Sequence, residues 1–201
     1  MKILAIQVGL LSTNCYIVYD EVTSHGVLID PGDEAKEILN VIREKNLTIE
    51  AIFLTHGHHD HIGGLKGVKE SLNVDVYINE NDNHFVKEYY HGVIKENVKL
   101  VDKYFVDGDI IKKAGLTFEI LETPGHTKGG VCILCGEVIF CGDSIFAESI
   151  GRTDLPGGSY SELMDSIKNK ILTLDDSIIL LPGHGPTTTI GHEKKYNPFL
   201  R

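Results

Sequence analysis

The stretch Thr55-His56-Gly57-His58-His59-Asp60-His61-Ile62-Gly63-Gly64 decides both how the chain folds and what it can do. Upstream of it, Ile49-Glu50-Ala51-Ile52-Phe53-Leu54 is a short apolar run that reads as a buried strand over 50–55. Where that strand ends, four imidazoles and one carboxylate fall within six positions. His56 and His58 alternate, so on extended backbone they point the same way and His59 points away from them. Asp60 and His61 follow one turn later. Three more potential ligands each come after an apolar, strand-like run: His126 in Thr123-Pro124-Gly125-His126-Thr127, Asp143 in Gly142-Asp143-Ser144, and His184 in Pro182-Gly183-His184-Gly185. A lone histidine is usually a solvated or satisfied residue, and His25, His84, His91 and His192 read that way. Five histidines and two aspartates gathered at strand ends are instead what a two-metal site needs.

The length of 201 residues suits one domain spanning 1–201 with a sizeable core. Nineteen Lys and Arg against 29 Asp and Glu leave a formal charge of -10. That balance argues against a nucleic-acid partner, whose binding draws on cationic contacts to phosphate. A small anionic substrate held by one local cation remains compatible with it. No run approaches the roughly 20 apolar residues of a membrane span. The apolar start, Met1 to Leu11, is broken by Gln7 and Gly9 and has no small-residue cleavage site, so it reads as a first strand rather than a signal peptide. Cys132 and Cys135 form a C-x-x-C, but on a strand positions three apart face opposite sides, and no second such pair completes a tetrahedral site. The four cysteines therefore read as core residues of a cytoplasmic protein.

In chain order, strands are expected at Lys2–Val8, Asn14–Asp20 and Gly26–Ile29, then a helix over Glu34–Lys45 with Asp33 as its N-cap. After the histidine motif come a helix over Ile62–Ser71, a strand at Asp75–Ile78 and a polar helix over Asn79–Tyr90 presenting Phe85, Val86 and Tyr89 on one face. The pattern over 92–103 is weak. Asp107-Gly108 predicts a hairpin turn. Strands follow at Leu116–Leu121, Val131–Leu134 and Glu137–Cys141, then a Gly- and Pro-rich linker over 147–159, a helix at Ser161–Leu172, a strand at Ser177–Leu181 and a short helix or tail from Gly191. Strands in runs with helices interspersed favour an α+β layered arrangement over a doubly wound parallel sheet.

Metal that activates water must keep a coordination position open. The seven candidates divide into two incomplete shells: His56, His58 and His126 on one metal, Asp60, His61 and His184 on the other, with Asp143 bridging. Asp60 and Asp143 are the candidate catalytic carboxylates. Two cations sharing a water lower its pKa towards about 7, and they can hold the oxyanion that forms on attack. Imidazole and carboxylate donors suit zinc, iron and manganese alike, with zinc the expected ion. A thiolate leaves without a dedicated acid because its pKa is near 8.5. An amide nitrogen would need protonation, so thioesters and activated esters are the preferred substrates.

The chain resembles the metallo-β-lactamase superfamily, whose signature is His-x-His-x-Asp-His followed by spaced His, Asp and His. Within it, the chain is similar to the glyoxalase II (hydroxyacylglutathione hydrolase) branch through Thr13-Asn14-Cys15-Tyr16, Asp30-Pro31-Gly32, Thr55–Gly64, Pro124-Gly125-His126-Thr127, Cys141–Phe146, Gly151-Arg152, Pro182–Pro186 and Asn197-Pro198-Phe199-Leu200. The resemblance implies a four-layer αβ/βα sandwich of two facing mixed sheets, with metals at one edge. Aspartate at 143, in place of the cysteine or serine of true β-lactamases, favours the hydrolase branches. Two features depart from glyoxalase II proper. Its helical C-terminal domain lies beyond this sequence, and Thr153 and Asp154 stand where the family's glutathione contact has an aromatic pair. Short single-domain relatives carry the same Gly-Arg-Thr-Asp element. The resemblance thus implies hydrolysis of an acyl thioester of the S-lactoylglutathione kind, with Arg152 clamping a substrate carboxylate through its planar fork. Persulfide dioxygenases, with one iron at the positions of His56, His126 and Asp143, are the alternative, and lactone or small phosphodiester hydrolysis is another.

Overall fold

In the computed structural model, which describes residues 1–94 and 99–201, the strand-forming runs build two six-stranded mixed sheets. The first joins β1 (Lys2–Val8), β2 (Thr13–Tyr19), β3 (His25–Ile29), β4 (Thr48–Phe53), β5 (Asp75–Asn79) and β6 (Lys103–Phe105) in sequence order. Its first three strands are antiparallel and the rest parallel, because α1 (Ala35–Glu44) and the helices after β4 supply the crossovers. The second holds β7 (Ile110–Lys113), β8 (Leu116–Glu122), β9 (Val131–Cys135) and β10 (Val138–Gly142). A small hairpin, β11 (Ile145–Phe146) with β12 (Ser149–Ile150), follows, and β13 (Ile179–Pro182) and β14 (Thr188–Thr189) complete the second sheet in the order β14-β13-β10-β9-β8-β7.

Period-two alternation explains why both faces of each sheet are dry. Tyr16 and Val18 of β2, Val27 and Ile29 of β3, and Ala51 and Phe53 of β4 point between the sheets, where they meet Phe118, Ile133 and Phe140 from the other side. The intervening Cys15, Ile17, Leu28 and Ile52 point outward, under Ile38 and Ile42 of α1 and Leu65 and Val68 of α3 (Leu65–Leu72). On the far side Cys132, Ile139, Cys141 and Leu180 pack against Leu163 and Ile167 of α5 (Tyr160–Ser166), which continues as a π-helical turn to Ile171. Strands covered on both faces read as nearly unbroken apolar runs. The layers are therefore helix, sheet, sheet, helix, as the resemblance implies. Cys132 and Cys135 fall into different apolar clusters on opposite faces of β9, and all four cysteines are free and buried. Burial pushes the Cys132 and Cys135 thiols up to about 11.

Several local expectations change once the layers form. The Asp107-Gly108 turn closes no hairpin, because β6 pairs with β5 and β7 with β8, in different sheets. It is the crossover between them. The helix expected over 62–71 begins earlier and breaks: α2 (His59–Ile62) lies inside the histidine motif, and Gly63-Gly64 separates it from α3, with Gly64 N–H donating to the Pro31 carbonyl (2.9 Å). Asp33 is not the N-cap of α1. Glu34 holds that position at φ 48°, and Asp33 Oδ1 accepts from Glu34 N (2.6 Å). The segment after β5 is a 3₁₀ turn (Glu80–Asp82) and then α4 (Asn83–Tyr89), which buries Val86 and leaves Tyr89 45% exposed. The weak stretch 92–103 includes 95–98, which lie outside the described residues, and ends where β6 opens. The C-terminal helix, α6, runs Ile190–Tyr196. Among the described residues, no helix is long and apolar enough to cross a membrane.

Phe53 ties the two sheets together, with its ring centroid 5.1 Å from Tyr77, 5.3 Å from Phe105 and 5.2 Å from Phe118, all edge-on. Phe53→Ala is expected to reduce unfolding free energy by about 3–5 kcal/mol in a urea titration. A loss below about 1 kcal/mol would contradict a core centred on this ring.

Candidate metal centre

Every candidate ligand sits just beyond a strand end or in a first helical turn, and the two sheets bring those ends to one edge. His56 and His58 lie in the loop after β4, Asp60 and His61 in α2, His126 between β8 and β9, Asp143 after β10, and His184 after β13. All seven converge. Donor atoms of His56, His58 and His126 lie within 4.8 Å of one another, and so do those of Asp60, His61 and His184. Asp143 joins the groups: its Oδ2 is 3.6 Å from both His126 Nε2 and His184 Nε2, and its Oδ1 is 3.4 Å from His61 Nε2. His56, His61 and Asp143 form a third set within the same 4.8 Å. His59 points out, its side chain 70% exposed.

The hydrogen bonds show which nitrogen is free in four of the five rings. His126 Nδ1 faces the Arg152 carbonyl (2.8 Å) and His184 Nδ1 the Leu11 carbonyl (3.1 Å). A carbonyl only accepts, so each Nδ1 carries the proton, and in the neutral ring each Nε2 keeps its lone pair. His61 Nδ1 donates to Asp30 Oδ2 (2.9 Å), and Thr55 Oγ1 donates to the same oxygen (2.6 Å). Having spent its proton there, Thr55 Oγ1 accepts from His56 Nδ1 (3.1 Å). The buried atoms His56 Nε2, His61 Nε2 and Asp143 Oδ1 are then left without a hydrogen-bond partner. Buried polar atoms are rarely orphaned. Inward-aimed lone pairs of imidazole and carboxylate fit divalent metal.

At His56 and His58 the charges favour the neutral, metal-binding ring; at His61 and His184 the neighbouring carboxylates favour the protonated one. Burial, and then the neighbouring imidazoles, hold His56 well below the usual histidine range and bring His58 down to about 4. Burial pulls His61 the same way, but Asp143 and Asp30 reverse it and raise its pKa. The Asp60 bond raises that of His184. Asp143 and Asp60 stay below the ordinary carboxylate range despite burial, the first through His61 and the second through His184 and His61.

Residues with no donor role do the aiming. Asp30, at φ 49° and 2% exposed, also takes Thr55 N–H on Oδ1 (2.7 Å), so one carboxylate orients a ring from each group. In the sequence it stands only as part of the Asp30-Pro31-Gly32 motif; the clue to its role is the parallel register Ile29↔Phe53, which places the ends of β3 and β4 side by side. Thr13 Oγ1 donates to Asp60 Oδ2 (3.2 Å), while Asn14 and Tyr16 fix the loop carrying His184 through the Pro182 and Gly185 carbonyls (2.7–3.0 Å). Asp82 is completely buried and accepts from Gly57 N (3.0 Å) and Gly129 N (2.7 Å), tying the His56–His58 loop to the His126 loop. At Gly183 an added Cβ would overlap Asp143 Oδ1 and the His61 ring. Arg152 is paired within its own loop. Its guanidinium forks onto Asp154 at 2.8 and 2.9 Å, and only its backbone carbonyl reaches the cluster.

Partners of this kind hold ring orientation, and their loss typically costs 10–100-fold in metal affinity. Asp30→Ala should therefore weaken binding of zinc by about that factor in a competition titration against a chromophoric chelator, with the far-ultraviolet spectrum retained. Affinity equal to that of the unaltered protein would remove Asp30 from the account.

Comparison with known proteins places this geometry. The family model described as the metallo-beta-lactamase superfamily matches residues 8–184. A protein of Haemophilus influenzae named hydroxyacylglutathione hydrolase GloC is 39% identical over 209 residues, covering 100% of this chain and 98% of its own. A solved structure titled BLEG-1 B3 metallo-beta-lactamase superposes with a TM-score of 0.90 at 36% identity, covering 99% of each chain. TTHA1623, titled as a di-iron-bound form, superposes at 0.86 with 34% identity, covering 98% of this chain and 100% of that one. The likeness to the Haemophilus protein supports the glyoxalase II-like branch. With the signature ligands, the four layers and these matches in agreement, the chain belongs to the metallo-β-lactamase superfamily.

Proposed function

We propose that this protein is a metal-dependent hydrolase of acyl thioesters. Two divalent ions would be held by His56, His58 and His126 and by Asp60, His61 and His184, with Asp143 between them. One observation carries the reading: two three-residue donor groups share a single carboxylate, and neither alone closes a shell. Structural sites are normally closed by four protein ligands, whereas reactive ones keep a position open. When bound, such ions supply Lewis acidity, lowering the pKa of water and stabilising negative charge on a carbonyl oxygen.

The chain's own residues set the rest. The Asp60 carboxylate, which accepts a hydrogen bond from Thr13 on Oδ2, would take the proton of the attacking water. Asp143 keeps the two groups in register. Four of the five imidazoles have no Nδ1 proton to give a leaving group, because those protons are committed to Asp30, Thr55 and two backbone carbonyls. A thiolate needs none. The name of the Haemophilus relative points to the same substrate class. Imidazole and carboxylate donors admit zinc, iron or manganese; zinc is our expectation, and the di-iron title of a related structure makes iron its rival.

Cleavage of a β-lactam amide is a second reading, favoured by the B3 title of the structure that superposes at 0.90. A panel of metal-loaded assays separates the classes: a chromogenic thioester, a chromogenic cephalosporin, a lactone, and glutathione persulfide with oxygen consumption followed. Thioester turnover should dominate, and His126→Ala should lower it at least about a hundredfold, since the Lewis acid supplies several kcal/mol. Full activity in His126→Ala, or preferred turnover of another substrate, would refute the assignment.

A further inference from the structure

Beside the metal cluster lies a cavity of about 820 Å³, within the range of small-molecule sites. Gly57 and His58 form its inner end. Phe85 and Tyr89 of α4 make one wall, and Leu155-Pro156 of the loop before α5 makes the other. Lys128 also lines it. This lysine is rooted in the His126 loop, one residue from Gly129, whose N–H is held by Asp82, so its Cα is fixed relative to the metal ligands. Its stem runs past Gly157, where even a Cβ would lie 3.7 Å from Lys128 Cγ. Glu88 faces the same space, yet among the described residues no carboxylate comes within ion-pair distance of Lys128. Arg152, the cation expected to meet substrate, is instead held by Asp154 and is absent from the cavity lining.

We infer that this cavity is the recognition groove for a thioester bearing a carboxylate, and that Lys128 sets that specificity. The inference rests on the thioesterase reading. With the scissile carbonyl at the His58 end, the substituent lies across Phe85 and Tyr89 and its carboxylate reaches the Lys128 ammonium. Lys128 is an exposed cation on this lining, a local exception in a chain of formal charge -10. The carboxylate could belong to the acyl or to the thiol half, and chemistry separates the two.

The test compares acetyl thioesters of N-acetylcysteine and N-acetylcysteamine, which differ by one carboxylate on the thiol, and the hemisuccinyl thioester of N-acetylcysteamine, which carries it on the acyl group. For one of the charged substrates, Lys128→Gln should lower the preference over the neutral thioester about tenfold, through KM rather than kcat, and Lys128→Arg should restore it. Whichever charged substrate responds locates the carboxylate. A preference indifferent to Lys128 for both substrates would overturn the inference and leave the thioesterase reading standing. Calorimetric binding of S-propyl-N-acetylcysteine and of S-(3-carboxypropyl)-N-acetylcysteamine to metal-loaded protein supplies the readout independent of turnover. If no thioester is hydrolysed but binding of either thioether still depends on Lys128, the groove stands and the reaction assignment fails. If neither thioether binds, or binding ignores Lys128, the groove assignment fails.

Discussion

Seven inward-aimed donors can share one pocket only if every ring is turned so that a lone pair, rather than an N–H, faces the centre. The Asp30 carboxylate does most to meet that constraint. Through Oδ2 it takes the His61 proton directly and the Thr55 proton beside it, and Thr55 in turn takes the proton of His56. One anion thereby fixes a ring in each donor group, from a backbone position at φ 49° that L-residues adopt rarely. Backbone carbonyls of Leu11 and Arg152 perform the same service for His184 and His126.

The sheets exist, in this view, to bring strand ends to a common edge. Two layers of strands sealed by an aromatic cluster around Phe53 give the loops a rigid base, and the outer helices seal the remaining apolar faces. The donors then need only short loops. Where those loops run close together, Gly183 leaves room for Asp143 and His61. The Thr13-Asn14-Cys15-Tyr16 strand serves three demands at once: Thr13 braces Asp60, Asn14 and Tyr16 brace the His184 loop, and Cys15 faces the outer helices.

The candidate ligands were legible in the sequence because their chemistry is local: imidazoles in Pro-Gly-His turns and in a dense motif announce themselves without a partner. The strands were legible for a similar reason, since both faces are buried and the apolar runs are unbroken. What escaped depends on contacts between distant segments. The orienting role of Asp30 follows from the register of β3 on β4, and that of Asp82 from the meeting of two loops more than forty residues apart in sequence. The Asp107-Gly108 turn carries a hairpin's local signal, but its flanking strands belong to different sheets. Arg152 has the right chemistry for a carboxylate and finds one two residues away in Asp154. Lys128 had no motif to mark it.

The central claim is that two groups of side chains, sharing Asp143, form a binuclear metal centre. Elemental analysis of protein purified without chelator, normalised to chain concentration, tests it most directly. The account predicts two transition-metal ions per chain, with the count falling in an Asp143→Ala variant that stays folded. A folded protein that retains no such metal and takes none up on titration would contradict it.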